Sequence, residues 1–315
     1  MKKLFFILVF FLGLIVCPRA RACDLCAVYT AINASGQGRG FYAGVAERFT
    51  HYGTLQNDGS VVANTAGQYL DSSITQLFGS YNFDTRFGLQ ATLPILIRNF
   101  RRPEASGIET GSVSGIGDAS FLGRWTPYEK MTPTFGFQPR LLAGVKLPTG
   151  STSRLQEELA EVETDPESGI HGHELTLGSG SWDALVGGSL WARWRRLLGT
   201  GEIQYMFRSR GAVGYRFAND LHWDAGLGSY LFLEDRYTVA LQLKGSGLYK
   251  KRDTLAGMPM DDTGMTALFL GPDLIWTWKM LVSANVGADF PVLLHNTALQ
   301  LVPDWRLRTA VSWHF

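Results

Sequence analysis

From Phe41 onward the chain repeats one unit: about ten residues that alternate apolar with polar or small side chains, ended by Gly, Asn, Asp or Pro. Successive side chains of an extended strand point to opposite faces, so each unit has one oily face and one wet face. The clearest unit runs from Tyr237 to Tyr249, with Tyr237, Val239, Leu241 and Leu243 on one side and Thr238, Gln242, Lys244 and Ser246 on the other. The final unit sets Trp305, Leu307, Thr309, Val311, Trp313 and Phe315 against Arg306, Arg308, Ser312 and His314. Phe87 to Ile95, Phe135 to Val145 and Ile203 to Phe207 follow the same rule. A strand that meets lipid outside and water inside needs this composition.

The breaks alternate in length. Short ones fall near Asn82–Asp84, Pro127–Pro133, Arg195–Gly199, Glu234–Arg236 and Thr277–Lys279. Long ones fall near Gly53–Ala66, Asn99–Ser114, Leu147–Gly178, Lys250–Asp262 and Val292–Pro303, with a middling one at Ser209–Tyr215. Short periplasmic turns and long outer loops alternate in this way in membrane barrels. The pattern therefore predicts an all-β fold: a transmembrane antiparallel up-and-down β-barrel of about twelve strands over residues 41–315, both ends periplasmic.

Aromatics mark the water line. Tyr81, Trp125, Tyr128, Trp191, Trp194, Tyr230, Tyr237, Trp276, Trp278 and Trp313 lie at or beside the short turns. A ring with a wet N–H or O–H favours headgroup depth. A soluble β-sandwich would scatter its Trp through a core instead of gathering them at one end. The aromatic strand ending at Phe315 resembles the signal read by the barrel assembly machinery, an expected partner together with outer-membrane lipid.

The first residues carry an address. Lys2 and Lys3 precede the apolar run Leu4 to Val16 and the small-x-small triplet Ala20-Arg21-Ala22. That run is shorter than the roughly 20 apolar residues of a spanning helix, so residues 1–22 read as a cleaved signal peptide. Residues 23–40 then form a periplasmic arm holding Cys23 and Cys26. This pair is a disulfide candidate, with a redox or metal role as the alternative; Ala27 rules out the c-type haem motif. Lipidation of Cys23 is opposed by Arg21 beside it. The predicted location is the bacterial outer membrane. A net charge of +1 gives no bulk attraction to nucleic acid.

The predicted lumen is rich in charge: Arg86, Arg98, Asp118, Arg124, Arg140, Lys146, Asp183, Glu202, Arg208, Asp220, Asp224, Lys244, Asp273, Asp289, Arg306 and Arg308 take the polar face. Two readings stay open. One is a cross-strand network of ion pairs that holds register and fills space; the other is a narrow polar path for a small solute. Acidic and basic groups nearly balance, so charge alone sets no strong ion preference.

Other chemistry has weaker support. His171 and His173 with Glu174 are weak metal candidates in the longest loop, short of a fourth ligand, against the alternative of an exposed polar loop. Arg154 to Glu163 has the composition of a short helix, able to enter the barrel mouth or stay outside. A hydrolase needs a nucleophile and a base placed together. No G-x-S-x-G turn is present, and no acidic pair stands out by spacing, so no catalytic residue, enzyme activity or cofactor is expected.

Three motifs carry a family resemblance. Gly115-Ile116-Gly117-Asp118, followed by Gly123-Arg124-Trp125 and Tyr128, resembles the transporter-like outer-membrane barrel family named for the phenol meta-cleavage degradation pathway. Gly144-Val145-Lys146-Leu147-Pro148-Thr149-Gly150 resembles that family's strand end with a Leu-Pro-Thr-Gly loop opening. Leu177-Gly178-Ser179-Gly180-Ser181-Trp182-Asp183 is similar to its Gly-Thr-Gly-Ser-x-Asp strand start, with Ser179 where the family favours Thr. The resemblance implies a channel or uptake role for small, hydrophobic or aromatic solutes. Physically, Gly117 and Gly180 permit bends or close approach, Pro148 ends pairing at the rim, and Asp118 and Asp183 are expected to pair with Arg124 or Arg140. The alternative is a non-transport scaffold whose cysteine arm docks a periplasmic redox partner.

Overall fold

The computed structural model describes residues 39–160 and 166–315; the signal segment, the Cys23/Cys26 arm and residues 161–165 lie outside the described residues. Twelve strands pair with their sequence neighbours: β1 (Gly40–Asn57), β2 (Tyr69–Asn82), β3 (Phe87–Glu104), β4 in two segments (Gly107–Ile116 and Ser120–Trp125), β5 (Phe135–Lys146), β6 (Asp183–Trp194), β7 (Leu197–Phe207), β8 (Asp220–Leu233), β9 (Tyr237–Lys250), β10 (Met265–Trp278), β11 (Val282–Asn296) and β12 (Leu299–His314). β12 then pairs antiparallel with β1, from Tyr42 opposite His314 to Asn57 opposite Leu299, and the sheet closes on itself. Closure gives every strand two neighbours, as a membrane requires of a sheet that crosses it. No helix among the described residues is long and apolar enough to cross a membrane.

The alternation read in the sequence is the inside–outside alternation of the wall. On β9, Leu241 and Leu243 are exposed on the outer face while Gln242 and Lys244 are buried in the lumen. On β12, Leu307 and Trp313 face out, and Arg306, Arg308 and Ser312 face in. Tyr81, Trp125, Tyr128, Trp194, Trp276, Trp278 and Trp313 form an exposed girdle on the short-turn side. Midway along β1, Glu47 faces outward and accepts Ser73 Oγ (2.7 Å) and Thr75 Oγ1 (2.5 Å) from β2. Those hydroxyls lower the cost of a carboxylate on the lipid side.

Two of the expected long loops are absent. Residues 99–114 are the upper half of a hairpin, β3 running to Glu104 and β4 starting at Gly107. Residues 292–303 likewise belong to β11 and β12, with a turn at Thr297 and Ala298. Above the lipid the outer face no longer has to be oily, so Asn99, Arg101, Thr110, Ser112 and Ser114 take it and the alternation signal fades while the ladder continues. The real irregularity lies lower, between Ile116 and Ser120. There β4 breaks, and its upper segment pairs with β3 alone.

Candidate functional site: a capped, charge-lined lumen

The described parts of the loop between β5 and β6, residues 147–160 and 166–182, fold inward over the barrel. They carry a 3-10 turn at Ser153–Leu159 and a single helical turn at Gly172–Leu175. Apolar side chains drive this docking. Ile170 and Leu175 are fully buried against Tyr52, Leu55, Leu70, Phe100, Leu299 and Leu301 of the wall. Leu155 is buried against Tyr215 and Phe217 of the neighbouring loop. Each buried side chain of this size contributes about 1.5–3 kcal/mol. An exposed loop would leave all three in water.

Polar anchors fix the loop's position. Arg98 of β3 donates to the Thr176 carbonyl (3.0 Å). Arg102 bridges Glu109 (2.7 Å) and Glu157 (2.8 Å), and Arg154 pairs with Glu157 (2.5 Å). Gln68 holds the backbone at Glu167 and Gly169. At the centre stands His173, 2% exposed. Its Nδ1 lies 3.1 Å from Glu158 and its Nε2 3.2 Å from Glu174. His171 sits 3.3 Å from Asp262 of the next loop.

Carboxylates at both ring nitrogens require a proton on each, so His173 is an imidazolium. Burial alone would push it toward the neutral form, but the charges of Glu174 and Glu158 outweigh that and hold its pKa well above 6.5. Burial would in turn raise Glu174; the His173 charge and its hydrogen bond override this and bring it down to about 2. Glu158 is lowered by the same imidazolium against its own burial. The expectation of an exposed polar loop around His171 and His173 is therefore corrected: the pair belongs to a buried ionic latch. Among the described residues no group of His, Cys, Asp and Glu has the arrangement of a metal site.

The three sequence motifs converge at the break in β4. Asp118 occupies the gap, and its carboxylate accepts Gly150 N (3.0 Å), Ser179 N (2.9 Å) and Ser179 Oγ (2.7 Å). Thr149 Oγ1 bridges the Gly117 carbonyl and the Ala119 amide, both at 2.8 Å, restoring the wall where the strand ladder is missing. Lys146, at the end of β5, contacts Asp118 (2.5 Å) and Asp183 (2.9 Å). Arg208 continues the chain from Asp183 (3.1 Å) to Asp220 (2.8 Å). Five alternating charges thus run across five strands, from β4 to β8. Asp118 and Asp183 pair with Lys146 and Arg208, a correction to the expected Arg124 and Arg140, whose side chains sit nearer the short-turn side. Arg124 donates to Asn82, and Arg140 to Gln138 at 2.6 Å. Sequence spacing alone gives no inter-strand register, so it could place these side chains on the lumen face without ranking their heights.

The other named residues fall on the inner wall, with one exception. Arg308 clasps Asp289 (2.7 and 2.8 Å) and reaches Asp273 (3.3 Å); Lys244 meets Asp224 (3.1 Å); Glu202 lies beside Gln204. Arg306 lies 3.9 Å over the Phe269 ring. Arg86 is the exception, corrected from the inner wall to the exposed turn before β3.

Below the loop the lumen holds two adjoining small spaces that share Leu248 and Arg306: an upper one roofed by Gly169 to Glu174, and a mid-barrel one lined by charged side chains. The inner wall also carries buried groups with no hydrogen-bond partner in the protein: Thr50 Oγ1, Ser72 Oγ, Gln76 Oε1 and Nε2, and Ser80 Oγ. In a dry interior each would cost about 1–3 kcal/mol. An aqueous lumen would supply the missing partners.

This architecture is a closed transmembrane β-barrel of twelve antiparallel strands, of the kind found in bacterial outer membranes, with an outer loop turned inward. Among solved structures the chain is similar to an outer-membrane channel from Pseudomonas putida F1: TM-score 0.58 at 14% identity, covering 90% of this chain and 98% of that one. The β-domain of the Bordetella autotransporter BrkA lies further off, with a TM-score of 0.45 at 9% identity over 87% and 99% of the two chains. No family model and no curated protein matches the sequence. At 14% identity the likeness establishes the fold and nothing narrower.

Proposed function

We propose that the barrel passes a small solute, hydrophobic or aromatic, across a bacterial outer membrane, with the loop from Leu147 to Trp182 as its cap. The observation that carries this reading is the row of buried, unpartnered polar groups on the inner wall, which makes the interior aqueous rather than a packed core. A barrel that served only as a scaffold has no need of a wet lumen, and at this strand number side chains can close it, as they do at eight. The similarity in fold to an outer-membrane channel agrees with the reading. On this view the lumen residues named above form the solute path, and the resemblance to the phenol-pathway barrels supplies the hydrophobic or aromatic solute.

The test is conductance of the full-length protein in a planar bilayer, beside a variant lacking Arg154–Glu174. Excision removes the roof together with His173 and Glu174, so conductance is expected to rise severalfold. A protein that never conducts, with or without the loop, refutes the channel reading.

A further inference from the structure

The upper segment of β4 leaves one edge of the sheet without a neighbour. Gly107–Ile116 pairs with β3, from Glu104 opposite Gly107 to Ile95 opposite Ile116, and with no other strand among the described residues. Lower down the same side is taken: Ser120–Trp125 pairs with β5, and at the break the Ala119 amide donates to Thr149 Oγ1. Antiparallel ladders bond alternate residues. Gly117 N donates to the Pro94 carbonyl (2.8 Å), which places Gly115, Val113, Gly111 and Glu109 in the bonded pairs with β3. Ile108, Thr110, Ser112, Ser114 and Ile116 therefore turn their N–H and C=O groups to the open side, one donor–acceptor pair about every 7 Å. Their side chains are exposed as well. Native edges are blunted by Lys, Pro or a covering element. This segment holds no Lys, Arg or Pro, and its lone charge, Glu109, is held by Arg102 (2.7 Å).

We propose that this edge docks an extended, uncharged peptide segment of another protein on the long-loop side of the membrane, added as one more antiparallel strand. Backbone groups at that spacing match an extended chain, and Thr110, Ser112 and Ser114 offer no charge for a charged partner to answer. A second copy of this barrel does not fit. Two copies in one membrane that face each other are related by half a turn about the membrane normal. Barrel strands tilt by about 35–45°, so the two β4 edges would cross at about 70–90° instead of running side by side. The docking strand lies outside the lumen, and its occupancy is independent of whether a solute passes.

The test uses the full-length protein in lipid nanodiscs and a short fluorescent probe peptide that alternates Thr and Val. Main-chain bonds supply the affinity in strand addition, so a generic probe suffices. Anisotropy should show binding, and a probe N-methylated at two adjacent central residues, which blocks both of its edges, should bind at least about tenfold more weakly. Ser112→Pro removes a donor from the open side alone, since β3 does not use that amide, and should weaken the probe about tenfold. Ser112→Ala keeps the amide and should bind as the parent does. Hydrogen exchange reads the edge itself: the Ser112 and Ser114 amides should exchange freely in the protein alone and become protected with the probe, while Val113 stays slow in both. A probe that does not bind at about 1 mM, equal binding of the methylated probe or to Ser112→Pro, or Ser112 and Ser114 already protected without the probe, overturns the inference.

Discussion

Replacing His173 by Gln should release the loop. The imidazolium sits between Glu158 and Glu174, and the Glu158 side chain is fully buried. Without the cation the two carboxylates face each other across an amide that satisfies neither fully. Losing one partner of a buried ionic cluster costs about 3–5 kcal/mol. That cost falls on the docked loop and not on the undocked one, where water solvates both carboxylates. At about 1.4 kcal/mol per decade, the undocked population rises by roughly two to three and a half orders of magnitude. Single-channel open probability reads the change directly, and trypsin cleavage at Arg154 reads it independently. The pH profile follows from the same atoms. His173 has its pKa raised above 6.5, so its contribution is complete below about 6.5 and disappears as pH rises through the raised value. Glu174 is lowered to about 2, so its contribution is complete above the ordinary carboxylate value of 4.5 and disappears as pH falls through about 2. The cap is therefore tightest in mildly acidic solution and loosens on the alkaline side. Asp262 faces His171, and burial raises its pKa, so its contribution is complete below about 3.8 and is lost as pH rises through the raised value. Two results would refute this: His173→Gln matching the parent in open probability, or open probability flat from pH 6 to well above the raised His173 value. The triple variant His173→Leu, Glu158→Gln, Glu174→Gln removes every charge at once and should close the barrel again.

Two further expectations concern the break in β4. Lys146→Met takes the shared cation from Asp118 and leaves Asp183 to Arg208, so a loss of about 3–5 kcal/mol in denaturant unfolding is expected, whereas an additional Asp118→Asn should recover part of it. Gly178→Val would set a Cβ 2.5 Å from the Gly150 carbonyl oxygen. The loop must shift to accommodate it, so faster proteolysis of the loop is expected while the heat-modified gel mobility of the barrel stays as it was.

The strands that cross the lipid were the legible part of the sequence. Leu241 and Leu243 against Gln242 and Lys244 leave no other arrangement once water lies on one side and lipid on the other. The alternation disappears where lipid stops constraining it, which is why the upper hairpin at Glu104 and Gly107 reads as loop. The motifs around Gly117, Pro148 and Ser179 were visible as motifs. Their meeting at Asp118 depends on a strand break and on the alignment of β4, β5 and β6, and neither is a property of any one segment. Inward docking of the loop did leave a trace: Leu155, Ile170 and Leu175 are large apolar residues in an otherwise polar stretch. What they pack against belongs to residues far away along the chain.

The seam between β1 and β12 joins some of the most distant positions in the chain; His314 Nε2 lies 3.0 Å from the Arg39 carbonyl oxygen, 275 residues earlier. The other strand pairs of the wall join sequence neighbours and can form by local zippering, but this one closes a loop of nearly the whole barrel. Its entropic cost falls on a single step late in assembly. Until then both edges stay open to pair with other chains. The stacked Tyr42 and His314 rings, 4.2 Å between centroids, and the Phe41 and Phe315 pair at 5.9 Å stand at the seam's short-turn end. They act there as a clasp, so weakening them should slow closure far more than it loosens the finished barrel.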